Sequence, residues 1–488
     1  MALDKKLITN VLHNSYSAIV PLLVAVITVP LYIKTIGLER YGVLSVIWLV
    51  FGYFGLFDFG LSRATTHAMA KYGKSSSQLK EDIFRTALSI NTLLGIVAGL
   101  AFLLAATPII QVVLHKSSSI VAETAQALPL VALLFPFALV SNVMSGRLEA
   151  EEKFPVLNTI QLVGSILLQI LPLVFALMFR INLISAIGGA IAARIITIAL
   201  LANTVRKELT PDIRPHFVWA EGKKLLQFGG WLTITNAISP LLVSADQLLI
   251  GYLLGAKMLP YYSIPFNFSM KGLLIPEALT RALFPRLSGL ETGEAKHLAE
   301  QSLSILAGVM ALVCAPAIII IKSVLTLWMG ARFAEGAYPV TALLLLGLWI
   351  NAIAYIPSSH LQSQGRADLV AKYHAIELLP FIALLYLGIT QFGLIGAAMA
   401  WCLRVTTDAL LLFHADSTNK LDYSPIYTYF FITLMAVVIS LFVQPNLFAQ
   451  IAIVIVGGAI IALKLYKQVQ AYRHSLLLNP AINPMSNY

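Results

Sequence analysis

Asp58, Arg194, Asp246, Lys271, Glu277, Arg281, Glu377, Arg404 and Asp408 are ionisable residues lying inside long apolar stretches of the sequence. At the centre of a bilayer such a side chain costs on the order of 2.5–3.5 kcal/mol on insertion scales, so each needs a partner or a task. Two pairs carry a ready explanation. Glu277 and Arg281, and likewise Arg404 and Asp408, stand four residues apart, which on a helix places them on one face where each pair can neutralise itself. Asp58 can cap its segment or pair with Arg63. Asp246 suits either the partner of an arginine or a proton carrier. Lys271 can snorkel its ammonium to an interface along its aliphatic stem. Arg194 differs, because isoleucine, alanine and glycine surround it and no acid lies within one helical turn. Its guanidinium must face another helix or a watered cavity, where a planar fork of donors suits a phosphate or a carboxylate.

The surroundings of these residues determine what they can do. Hydrophobic residues make up 58% of the 488 positions and charged residues 11%, with a mean hydropathy of +0.83. A soluble domain carries roughly 25% charged residues, so the chain is read as a membrane protein throughout. Apolar runs recur at about 20 residues, the length that crosses roughly 30 Å of hydrocarbon. Breaks between them mark spans at 11–34, 41–62, 83–106, 124–146, 156–179, 181–203, 225–252, 260–285, 298–322, 337–362, 373–391, 394–414, 427–445 and 448–466. The expected fold is all-α, with about fourteen transmembrane helices.

Lysine and arginine weight one set of loops about three to one, which orients the chain with both termini in the cytoplasm. The start, MALDKKLITN, lacks a small-residue cleavage site and reads as a retained cytoplasmic end. The formal charge of +10 is then mostly topological charge facing an anionic leaflet, and nucleic acid is not an expected partner. Cys314 and Cys402 lie in apolar runs and read as small core residues. No metal-ligand spacing, P-loop or nucleophile elbow occurs, so no cofactor or metal is expected, nor a self-contained ATP motor.

The chain also repeats itself. Leu148–Lys153 (LEAEEK) follows the fourth span and Leu361–Arg366 (LQSQGR) the tenth. Leu183-Ile-Ser-Ala186 resembles Leu394-Ile-Gly-Ala397, and Arg194-Ile-Ile-Thr197 answers Arg404-Val-Thr-Thr407. A Gly-then-Tyr turn recurs as Gly37…Tyr41 and Gly255…Tyr261. A unit of six helices repeated in the same topology predicts two lobes around a central cavity. These are an N-lobe at 1–203, a cytoplasmic linker at 204–224 and a C-lobe at 225–414, followed by two additional spans and a cytoplasmic tail at 415–488.

Pro30–Gly42 (PLYIKTIGLERYG), Phe57-Asp-Phe-Gly-Leu61, Ala70-Lys-Tyr72 and Leu283–Ser288 (LFPRLS) resemble the polysaccharide-transport branch of the multidrug/oligosaccharidyl-lipid/polysaccharide flippase superfamily. The resemblance implies a Wzx-type flippase of the bacterial inner membrane. Such a protein moves an undecaprenyl-pyrophosphate-linked oligosaccharide, an O-antigen or other surface polysaccharide repeat unit, by alternating access. It further implies a cationic cavity, for which Arg194, Arg404, Lys271 and Arg281 are the substrate-binding candidates. Asp58, Asp246, Glu277 and Asp408 are then the coupling or ion-pair candidates. Implied partners are the lipid-linked oligosaccharide, membrane lipids, and the polysaccharide polymerase and chain-length machinery. Two other readings within the superfamily are a cation-coupled multidrug exporter and a lipid II flippase. Fourteen spans match the latter, whereas the first two spans lack a cluster of arginines. An integral glycosyl-transfer enzyme would need a large polar loop, and no loop exceeds roughly 22 residues.

Overall fold

The computed structural model describes residues 5–52, 61–71, 77–113, 118–207, 217–223, 244–416 and 424–478. Two compact units divide the chain, Met1–Pro260 and Tyr261–Tyr488. The described residues of both are helical. In a bilayer every backbone polar group must be satisfied within its own segment, and a helix does this.

Unit 1 contains α1 (Lys5–Gly52), α2 (Leu61–Lys71), α3 (Ser77–Val113), α4 (Ser118–Ala150), α5 (Phe154–Met178) and α6 (Leu183–Arg206), then a helical stretch at 244–254. Unit 2 contains α7 (Pro260–Met270), a 3₁₀ turn at Lys271–Leu273, α8 (Leu274–Gly289), α9 (Thr292–Met329), α10 (Ala331–Ser363), α11 (Ala367–Asp416), α12 (Ser424–Val438) and α13 (Leu447–Leu478). Of the expected linker at 204–224, residues 208–216 and 224 lie outside the described residues.

Ten helices among the described residues are long and apolar enough to cross a membrane. Two of these fold back on themselves. Gly37 in α1 has φ 85° and ψ 162°, and Gly393 in α11 has φ 60° and ψ −135°. Both conformations are costly for any residue bearing a Cβ, so glycine sets the reversal. Counting α1 and α11 twice, and adding the broken helix α7–α8 and the stretch ending at 254, the fold accommodates about fourteen spans.

The repeat seen in the sequence is matched by backbone geometry. Lys153 N donates to Leu148 O at 2.9 Å and Glu152 N to Glu149 O at 2.9 Å; Arg366 N donates to Leu361 O at 3.0 Å and Gly365 N to Gln362 O at 3.0 Å. Both are Schellman caps, closed by a residue at positive φ, Glu152 at 57° and Gly365 at 79°. The Gly-then-Tyr turns agree as well, with Gly255 at φ 89° beside Gly37 at 85°.

Among the described residues of unit 1, buried apolar side chains gather in two clusters. Tyr32, Leu44, Phe135 and Leu183 sit at the Gly37 end, and Leu61, Phe84, Leu148 and Leu201 at the other. In unit 2, α10 is the most enclosed span, packed against α9 and α11, while α12 and α13 close on α9. Large apolar side chains point outward at many positions, Leu104 and Leu379 among them. An exposed apolar surface of that extent is what lipid tails cover.

Candidate functional site

Among the described residues, the most concentrated set of buried charges lies inside the α11 hairpin. Below Gly393 the two arms approach closely at Gly388 and Gly396. Each arm buries an apolar stripe, Phe381, Leu385 and Ile389 on one and Leu394, Ala397, Trp401, Val405 and Leu412 on the other, with Trp401 packed on Gly347 of α10 and edge-on to Phe266 of α7. Toward the open end of the hairpin, polar groups replace the stripes. Arg404 Nε stands 3.8 Å from Glu377 Oε2, and His374 Nε2 stands 3.4 Å from Asp408 Oδ1. The Arg404 guanidinium also lies over the Phe381 ring, 5.6 Å from its centroid, which offers a cation–π contact. Gly393 is 11 residues from Arg404 and 16 from Glu377 on its two flanks, so the cluster lies roughly 16–24 Å down the hairpin.

These contacts are loose. Arg404 Nε, both Glu377 oxygens and Asp408 Oδ1 are buried and lack a hydrogen-bond partner among the described residues. The four-residue spacing suggested that Arg404 and Asp408 would neutralise each other. Instead each is matched from the opposite arm, Arg404 by Glu377 and Asp408 by His374. The spacing puts both side chains on one face, but that face is pressed against a second helix whose acid and imidazole reach between them.

Arg194 sits in mid-α6, half-buried, and makes no ion pair with any described residue. Ala190, Ala193, Thr197 and Leu201 around it belong to the packed face of α6, whereas Ile195, Ile196 and Leu200 form the exposed flank. The guanidinium is therefore on the protein side of the helix rather than the lipid side. Burying an arginine without an acid is expensive, so the site suits an anion supplied from elsewhere.

The remaining candidates are dispersed. Glu277 and Arg281 form their expected pair at 3.5 Å, but Arg281 is 81% exposed. Surface pairs of that kind contribute little. Lys271 begins the 3₁₀ turn that breaks the α7–α8 span and is exposed, with no ion pair among the described residues. Asp246 is buried near the start of 244–254, its Oδ1 accepting from Gln247 N at 2.7 Å. Asp58 lies outside the described residues. Among the described residues of unit 2, neither Lys271 nor Arg281 makes an ion pair with the α11 cluster.

Several buried polar contacts were not singled out from sequence. His374 is one, although it lies three residues before Glu377 on the same stripe. His360 Nδ1 meets Asp416 Oδ1 at 2.9 Å, and both side chains are fully buried. Its counterpart in the repeat, 213 positions earlier, is Arg147, which pairs with Glu151 at 3.4 Å and covers the Phe84 ring at 4.8 Å. At the Gly37 end, Arg40 Nε donates to both Glu123 oxygens at 2.9 Å, and Glu123 also accepts from Leu183 N at 2.7 Å. His360–Asp416 joins α10 to α11, Arg147 lies over α3 from α4, and Glu123 ties α4 to α1 and α6; each contact stays within one unit and reads as a fastener. Among the described residues, no group of three His, Cys, Asp or Glu side chains is placed to hold a metal.

Residues 7–291 match the family described as polysaccharide biosynthesis protein. A Shigella flexneri protein named "Putative O-antigen transporter" is 32% identical over 412 residues, 83% of this chain and 96% of its own length. A Klebsiella pneumoniae protein named "Uncharacterized membrane protein in cps region" is 26% identical over 39% of this chain and 40% of its own. Among solved structures, the lipid II flippase MurJ in an inward closed conformation aligns over 95% of this chain and 99% of its own, with TM-score 0.74 and 14% identity. An inward-facing multidrug resistance MATE transporter of the MOP superfamily aligns over 84% and 97%, with TM-score 0.69 and 14% identity. At those identities the two structures speak for the fold.

Proposed function

The chain belongs to the polysaccharide biosynthesis protein family, and from that premise we propose that it translocates an undecaprenyl-pyrophosphate-linked oligosaccharide. The cargo is an O-antigen or other surface polysaccharide repeat unit, and the step is an alternating-access flip across the bacterial inner membrane. The chain is a multi-pass transport protein and not an enzyme. The reading rests chiefly on 32% identity extending over 96% of the length of the Shigella flexneri protein, a match that runs through both units.

Chemistry supports the same cargo. A sugar head bearing pyrophosphate cannot enter hydrocarbon, while its polyprenyl tail can stay there. The protein must therefore shelter the head alone. Arg194, on the protein side of α6 without an acid, offers charge-assisted and bidentate contacts to phosphate. Arg404 is partly offset by Glu377, so it can exchange that carboxylate for a substrate anion at modest cost. In this reading both termini and 204–224 are cytoplasmic, and the product is handed to a polymerase and chain-length machinery on the far side.

The test is complementation. The chain is expressed in a strain lacking its own O-antigen flippase, and surface polysaccharide is read by immunoblot beside protein abundance in the membrane. Restored polymer supports the reading. Normal abundance without polymer, across strains making different repeat units, rejects it.

A further inference from the structure

We propose that unit 2 carries a separate binding site for the sugar head of a lipid, a polar cup at the end of the unit that holds the 330, 393 and 444 turns. The inference extends the flippase reading by adding a second substrate subsite far along the chain from Arg194 and the α11 cluster.

The cup has a volume of about 590 Å³ and lies between the end of α9 and the start of α13, closed by the turn after α12. That size is within the range of small-molecule sites. Its wall is built by an irregular backbone. α12 ends in a π-helical turn at Ile439–Val443, closed by Gln444 in the left-handed region at φ 45°. π-turns concentrate at functional sites, since they trade helical regularity for side-chain placement. Here the turn places Gln444 between two elements. Its Nε2 donates to the Tyr338 hydroxyl at 2.9 Å and its Oε1 accepts from Lys322 Nζ at 3.1 Å. Opposite it, Ser323 Oγ donates to Gln450 Oε1 at 2.8 Å, and Gln450 Nε2 donates to Pro445 O at 2.9 Å. Asn446 caps α13, its Oδ1 accepting from Ala449 N at 2.9 Å.

This network decides which ligand fits. Lys322 is the cup's cation, and it is already satisfied by Glu335 at 3.0 Å, by Gln444 and by the Tyr338 ring at 4.9 Å. A bare phosphate would compete with Glu335. What remains available is neutral: the Asn446 amide donors, and the lone pairs of Ser323 and Thr326, whose protons are spent on Gln450 and on Lys322 O at 2.7 Å. A mixture of fixed donors and acceptors matches neighbouring hydroxyls on a sugar ring.

The setting supplies the lipid half. Leu327 lines the cup and is 92% exposed, and Phe442 and Phe448, within two residues of lining residues in the chain, are 80% and 84% exposed. Beneath it, an apolar groove of about 530 Å³ runs between α9, α12 and α13, and Ile319 lines both cavities. The groove follows α12 from Ile439 to Tyr427, roughly 18 Å by helical rise, long enough to hold a stretch of hydrocarbon chain. On the α13 wall Gly457 and Gly458, between Val454 and Ile461, add no side chain and leave open space there. A polar cup above an apolar groove fits one amphiphile better than two separate ligands.

The test uses the full chain in nanodiscs of phosphatidylethanolamine and phosphatidylglycerol. It is irradiated with a diazirine-bearing alkyl maltoside or, in a second arm, a diazirine-bearing phosphatidylglycerol. The maltoside probe should label 319–327 and 439–450, and excess unlabelled alkyl maltoside should compete while alkylphosphocholine does not. Ser323→Val with Gln450→Leu should cut labelling at least fivefold. Ser440→Leu, which fills the cup from the π-turn, should do the same and carries the test if the double variant fails to accumulate. Labelling that survives Ser440→Leu overturns the site. Equal labelling by the phospholipid probe, with no competition by maltoside, overturns the sugar assignment in favour of an ordinary lipid headgroup. Complementation of a flippase-null strain is scored separately. Cup labelling without complementation therefore refutes the flippase reading, and complementation without labelling refutes the cup.

Discussion

Arg404 and Glu377 meet at 3.8 Å from opposite arms of one hairpin, 27 residues apart in sequence, and neither Arg404 Nε nor the Glu377 carboxylate completes a hydrogen bond there. A buried pair held this loosely is a poor source of stability, because desolvation offsets most of its attraction. It is nevertheless costly to break from one side, since the surviving charge is left in an apolar stripe.

That asymmetry is measurable. Arg404→Leu or Glu377→Leu alone should destabilise the protein by about 3–5 kcal/mol, and the double change should recover most of the loss. Thermal unfolding followed by fluorescence-detected size exclusion reads the difference. If the double variant is as unstable as the worse single variant, Arg404 and Glu377 are not energetic partners.

Arg194 calls for a different experiment, because no described acid depends on it. Removing a charge-assisted contact costs roughly 1.5–3 kcal/mol, so Arg194→Ala should lower surface polysaccharide tenfold or more at unchanged membrane abundance. Arg194→Lys keeps the charge without the planar fork and should retain part of the activity. Full complementation by the alanine variant would remove Arg194 from the substrate site.

The repeated Schellman caps contain their own control. Glu152 holds φ 57° where its counterpart is glycine at φ 79°, and the left-handed region costs a side chain about 1–2 kcal/mol. Glu152→Gly should therefore raise thermal stability slightly, by about 1 kcal/mol at most once unfolded-state entropy is deducted. Gly365→Glu should lower it by a similar amount. Movement of both in the same direction would show that the two turns are not equivalent.

The proposed orientation can be checked without any substrate. Reporter fusions after residue 210 and at the C-terminus should be active only with a cytoplasmic reporter such as a fluorescent protein. Phosphatase fused within the turn at 330 should be active outside. Phosphatase activity at 210 would invert the assignment and move the cup to the cytoplasmic face.

Much of this protein was set by sequence alone, and the bilayer is the reason. Hydrocarbon forbids an unsatisfied backbone, so each apolar run of about 20 residues must be a helix that spans. Gly37 and Gly393 mark reversals by residue type, because few other residues tolerate those angles. The LEAEEK and LQSQGR strings form the same cap because a Schellman turn depends only on local backbone. Side-chain partnership is another matter. Helical spacing places Arg404 and Asp408 on one face, but which helix covers that face, and at what rotation, depends on packing. Only the closed hairpin brought Glu377 and His374 between them. The same holds for His360 with Asp416, and for the cup. There a lysine at 322, a glutamine at 444 and another at 450 become neighbours solely because α9, the π-turn and α13 converge.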